Sequence, residues 1–273
     1  MLNQDVKSVL SILMPSIRHI FHDDFEMFCL YGAACDSDFT PYYDCIQFDC
    51  LLKTPLSGNR IESLFALRER FEAEKAIAFS RLSGVFISTE DAGEPGEVTG
   101  LYWGPEQSTL IDKWRISAFE KATCLSHGII ADGSDLRNQN EMPSPEALLE
   151  DISDMIASMK AHSTVRTAEI HEIEALFQLA QALCWLVTGS VKPRIRAAEW
   201  CVMQPGFGTF SHALGKALEM RKFAYLAGFQ ENKDWLYHLD IVIFEACNLV
   251  EQFYSRSAFF EDNHRDERGR RND

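Results

Sequence analysis

The sequence predicts an α+β protein: a mixed-sheet N-terminal half followed by an all-helical C-terminal half. Three observations carry this. Short apolar runs bounded by turn residues alternate with amphipathic stretches up to about residue 130. A polar segment, Asp132-Gly133-Ser134-Asp135 through Asn138-Gln139-Asn140, interrupts the pattern. Beyond Ser144-Pro145-Glu146, which combines a cap, a first-position proline and first-turn acid, every signal is helical.

The elements follow in order. Val6, Val9, Leu10, Leu13, Ile17 and Phe21 recur at helical spacing, so 4–21 is expected to be a helix. Phe25 to Tyr31 is an apolar run that stops at Gly32 and reads as a strand. Asp44 to Leu52 reads as a second strand, 58–79 as a helix and Leu82 to Ser88 as a third strand. The Gly- and Pro-rich stretch 90–106 is a loop or irregular hairpin, with Val98 to Trp103 as a candidate strand. Ser108 to Cys124 is expected to be helical and Ser126 to Ile130 a short strand. The second half should contain helices at 145–161, 168–188, 194–203, 209–227 and 232–256, with Gly189 and Gly228 as caps. Trp185 and Trp200 are expected in its core. The domain expectation is therefore 1–140, 141–258 and a charged, disordered tail at 259–273.

Composition narrows the function. Of 273 residues, 46% are hydrophobic, enough for real cores. The formal net charge of -15 repels phosphate backbones, so nucleic acid is not an expected partner, whereas a polycationic small molecule would be attracted. The eight cysteines show no Cys-x-x-Cys spacing and several sit in apolar runs, which points to reduced thiols in a cytoplasmic setting. Polar residues interrupt the first apolar stretch, so no signal peptide is expected, and no apolar run reaches membrane-spanning length. The histidines form no metal-binding pair. No Gly-x-x-x-x-Gly-Lys loop or Gly-x-Ser-x-Gly elbow occurs. Oligomeric state is not legible.

One constellation carries chemistry. In Leu30-Tyr31-Gly32-Ala33-Ala34 … Pro41-Tyr42-Tyr43-Asp44, an apolar strand runs into a Gly turn, and an Asp follows at the next strand. This resembles the opening motif of the nucleotidyltransferase superfamily, Gly-Ser followed by Asp-x-Asp. In that motif the Gly admits a triphosphate, the Ser donates to phosphate, and two carboxylates on one strand face hold divalent ions, with a third acid on a later strand. The helical half is similar to the streptomycin/spectinomycin adenylyltransferases, through Leu179 to Gly189, Ala197-Ala198-Glu199-Trp200 and Tyr225-Leu226-Ala227-Gly228.

The resemblance implies transfer of AMP from MgATP to a hydroxyl of a small cationic acceptor such as an aminoglycoside. It also implies site residues. Asp44 is the expected metal ligand. Gly32, Ala33 and Arg194 are the expected nucleotide contacts. Glu172 and Glu174 fall where the family's acids face the drug. The departures are as informative. On this alignment Ala33 replaces the Ser, Ile46 the second Asp and Gly84 the third acid. Asp49 is expected on the face opposite Asp44. Glu90, just after the third strand, is the candidate replacement acid. Two readings stay open: a nucleotidyltransferase using Mg²⁺ and ATP through a rearranged site, or an inactive relative that binds a ligand or a protein.

Overall fold

The computed structural model describes residues 2–74, 79–92, 97–104, 108–115, 117–162 and 169–269. The chain divides into two compact units, Met1–Ser144 and Pro145–Asp273.

The first unit is built on a six-stranded sheet in the order β5-β4-β3-β2-β1-β6. Its strands are β1 (Phe25–Tyr31), β2 (Ile46–Leu52), β3 (Leu82–Ser88), β4 (Glu97–Trp103), β5 (Ser108–Arg115) and β6 (Ile129–Gly133). β2 and β3 are parallel, and the other neighbours are antiparallel. Two helices, α1 (Gln4–Phe21) and α2 (Asn59–Glu74), supply apolar residues to one core with the sheet.

Helix α1 forms because Val6, Val9, Leu13, Ile17 and Phe21 make one continuous buried stripe. Asn3 caps it, accepting from Asp5 N–H at 2.8 Å. The same side chain donates to Ser37 O and Phe39 O, which ties the loop after β1 to the start of the helix.

The two sheet faces differ. Phe28, Phe48 and Phe86 meet α1 and α2 in a fully buried aromatic cluster. Met27, Cys29, Tyr31, Leu51, Val85 and Ile87 face the other way, against Cys124 of α4 (Ala118–His127).

One stretch departs from expectation. Ser108 to Cys124 is not one helix: 108–115 is β5, paired along its length with β4. Ser117 then starts α4, accepting from Glu120 N–H at 3.4 Å. Thr109, Ile111 and Trp114 suit an edge pairing, and the available partner strand decides between two periods that the sequence leaves close. The last strand lies a little later than expected, at Ile129–Gly133, where it pairs with β1.

The second unit contains α5 (Pro145–His162), α6 (Glu169–Thr188), α7 (Arg194–Val202), α8 (Gly208–Lys222), α9 (Gln230–Tyr237) and α10 (Leu239–Gly269). α6 is its centre, with Leu176, Leu179, Ala180, Leu183 and Cys184 fully buried. It packs on α7 and α10. Gly189, at φ +68°, ends α6, its N–H bonding Trp185 O at 2.7 Å. Trp185 and Trp200 are half-buried rather than core residues. The stretch 232–256, expected as one helix, is split between α9 and α10, with His238 between them. α10 continues as helix through Gly269, beyond the point where a disordered tail is expected. Among the described residues no helix is long and apolar enough to cross a membrane.

Candidate functional site

The geometry starts at the end of β1. Gly32 takes φ +63°, a left-handed conformation open to glycine, and begins a tight 3-10 turn through Cys35. Tyr31 is paired with Gln47 across the β1–β2 ladder. A Cβ on Gly32 would lie 2.1 Å from Gln47 Oε1, so the glycine turn sits directly against the Gln47 side chain.

That contact sets the register of the strand. Ile46, Phe48, Cys50 and Leu52 point into the aromatic core. Gln47 and Asp49 therefore share the opposite face, and the alternation of burial runs back through half-exposed Cys45. On parallel β3, Gln47 is paired with Ser83 and Asp49 with Val85. Ser83 shares a hydrogen bond with the Tyr102 hydroxyl at 3.3 Å. Gln47 therefore lies against the glycine turn, Ser83 is its neighbour on β3 and Cys45 precedes it by two residues; these three side chains are neutral, and Asp36 directly follows the turn.

The predicted site residues fall differently. Asp44 precedes β2 rather than opening it. It is buried, and its carboxylate accepts from Thr40 N–H at 2.7 Å, closing the Thr40–Asp44 turn. Arg81 fastens the same loop, donating to Asp44 O at 3.1 Å and Tyr43 O at 2.8 Å and reaching Cys45 Sγ at 3.4 Å. Asp44 is therefore committed to the turn. Gly84 is turned into the core, since a Cβ there would lie 2.1 Å from Phe48 O. The β3 residue beside Gln47 on the other face is Ser83, one residue before Gly84. Glu90 lies on a short helix, α3 (Thr89–Ala92), past the far end of β3, and is exposed. From Ser83 to Ser88 the strand already rises roughly 17 Å at about 3.3 Å per residue. Glu90 does not approach the glycine turn.

The carboxylate that does share this face is Asp49, which sequence reasoning set aside by counting strand parity from Asp44. The signal was present in the apolar alternation Ile46-Phe48-Cys50-Leu52, which assigns the odd positions to one face. Asp49 opens onto a cavity of about 40 Å³ lined also by Met27, Leu51, Ile87, Lys121 and Cys124. Burial pushes its pKa up to about 7. Glu120 nearby adds to the rise, and a hydrogen bond with Cys124 opposes it. Cys124 lies 3.2 Å from the Cys29 sulfur. That contact, with burial, holds the Cys124 thiol protonated.

In the helical unit, Arg194 opens α7 and is ion-paired with Glu174 of α6. Two residues expected to serve different ligands neutralise each other. Glu172 is half-buried in the first turn of α6.

Hard divalent cations are held by converging carboxylates, whereas Cys45, Gln47 and Ser83 offer a thiol, an amide and a hydroxyl. Among the described residues no three His, Cys, Asp or Glu side chains are placed to hold a metal.

The architecture has a counterpart among solved proteins. The chain is similar to the crystal structure of spectinomycin adenyltransferase AAD(9) from Enterococcus faecialis with ATP and spectinomycin, at a TM-score of 0.64 and 13% identity. The match covers 92% of this chain and 98% of that one. The fold is nucleotidyltransferase-like. No protein-family profile and no curated protein sequence matches the chain.

Proposed function

We propose that this chain is a nucleotidyltransferase-fold protein that binds a ligand without carrying out magnesium-dependent transfer of AMP. The observation that supports this reading is that neutral Gln47, flanked by Ser83 on β3, occupies the place against the left-handed Gly32 turn. Nucleotidyl transfer has little covalent chemistry for a protein to perform. It depends on positioning and on neutralising phosphate charge through bound cations. The left-handed Gly32 turn is of the kind that admits a phosphate, while Cys45, Gln47 and Ser83 bring no carboxylate to it. A cytoplasmic setting fits the eight unbridged cysteines.

A second reading is favoured by the extent of the likeness to AAD(9), which spans both units. On this reading the chain transfers AMP from MgATP to a hydroxyl of a small cationic acceptor, an aminoglycoside among them. Its net charge of -15 would help collect such an acceptor.

Calorimetry with MgATP separates the two. The wild-type protein is compared with a variant carrying Cys45→Asp, Gln47→Asp and Ser83→Glu, and with Asp44→Ala. The proposal expects no magnesium-dependent binding by the wild type, and a gain of it in the restored variant. Magnesium-dependent binding by the folded wild type, abolished in Asp44→Ala and accompanied by adenylylation of an aminoglycoside, would establish the second reading instead.

A further inference from the structure

We propose that α8 and α9 form a binding site for a small zwitterion, with a cationic end at Lys216, beside His212, and an anionic end at Glu219 and Glu231. The inference rests on the helical unit alone and is independent of the reading of the Gly32 surface.

A broad, open depression of about 570 Å³ is lined by these two helices, with Val202 of α7 at its edge and His212, Glu219 and Glu231 exposed to solvent. His212, Lys216 and Glu219 follow one another at i, i+4 and i+7 and so line one face of α8. Glu231 and Asn232, in the first turn of α9, form the other wall. Asn232 is buried and fixes that wall, its amide donating to Leu226 O at 2.8 Å.

The charges in this hollow are not spent on each other. Lys216 and Glu219 stand three residues apart, a spacing at which opposite charges on a helix commonly pair. Here the Lys216 ammonium lies over the Trp235 ring instead, 5.0 Å from its centre. Among the described residues, His212, Lys216, Glu219 and Glu231 make no hydrogen bond or ion pair through their side chains. A singly charged ligand would meet one favourable and one opposing end. A molecule bearing both charges would satisfy both. Helix geometry sets the span: Lys216 and Glu219 are separated by roughly 4.5 Å of rise, and His212 and Glu219 by roughly 10 Å. The ligand class is therefore an ω-amino acid or a short peptide-like zwitterion with its charges about 5–10 Å apart.

The test is calorimetry on the full chain with ω-amino acids from glycine to 8-aminooctanoate. Hexanoate and hexylamine serve as single-charge controls. At least one mid-length member should bind, and both controls should bind at least about tenfold more weakly. Lys216→Met and Glu231→Gln should each lower that affinity by about tenfold or more. His212→Ala should lower it by a smaller factor. An unchanged thermal midpoint in at least one of the three would show that the loss is local. The proposal is overturned if no member of the series binds, if the controls bind as well as the zwitterion, or if the folded variants bind as the wild type does.

Discussion

The two faces of the N-terminal sheet are built from alternate residues of the same strands, and they hold different parts of the nucleotidyltransferase-like design. The helix-covered face is a continuous aromatic core. Phe28 stacks on Phe48 at 4.7 Å, and Phe48 meets Phe86 edge-on at 5.4 Å. The opposite face carries Gln47, Asp49 and Ser83, two thiols and a small cavity. The first face keeps what the fold needs, namely packed volume and the strand order. The second carries the left-handed Gly32 turn, the neutral Gln47 and Ser83, and one carboxylate, Asp49. A fold and its chemistry can part company along the pleat of a single strand, because neighbouring residues answer to different surroundings.

The contrast is broken most severely from the core side. Phe48→Ala removes a fully buried ring from the centre of the cluster and should cost about 3–5 kcal/mol, read as a fall in the urea midpoint. On the opposite face, Asp49→Asn should act with the opposite sign. Asp49 has a folded pKa raised to about 7 from 3.8, so the unfolded chain releases this proton first. Wild-type stability should therefore fall as pH rises from about 4 to about 7 and stay lower above that. The raised pKa corresponds to at most about 4 kcal/mol. Water reaching the cavity reduces this, and the expected gain for Asp49→Asn at pH 8 is about 2 kcal/mol, vanishing near pH 3. Unfolding curves at several pH values check both sign and window.

At the boundary between the faces, Gly32→Ala should be intermediate. The positive φ and the approach of Gln47 both oppose a side chain, but the clashing atom is the tip of a flexible one. A loss of about 1–2 kcal/mol is expected in the same urea assay.

The fold was largely legible because its signals are local. The stripe of α1, the apolar runs of β1 and β3 and the caps around α6 and α7 each depend on nearby residues. β5 was not, since its strand state depends on β4 as a partner. The site was less legible still. Motif spacing put an acid at Asp44, but the Thr40–Asp44 turn consumes those residues before the strand begins. A one-residue shift in where a strand starts exchanges its faces. Asp49 lies on the face opposite Asp44, as the parity count expects, and it is this face that also carries Gln47 and Ser83.

The finest test of the contrast is Ser83→Ala. Ser83 is beside Gln47 on the face away from the aromatic core, and its next residue, Gly84, is sealed against Phe48. Its hydroxyl shares one hydrogen bond with Tyr102, at a long 3.3 Å, in a half-buried setting where water can replace it. Removing it should cost less than about 1 kcal/mol. If this face is a ligand surface rather than a structural one, the change is tolerated and the unfolding midpoint barely moves. A loss approaching that of Phe48→Ala would mean that the Ser83–Tyr102 contact helps hold β3 to β4. The neutral residues at the Gly32 turn would then owe their identity to sheet stability.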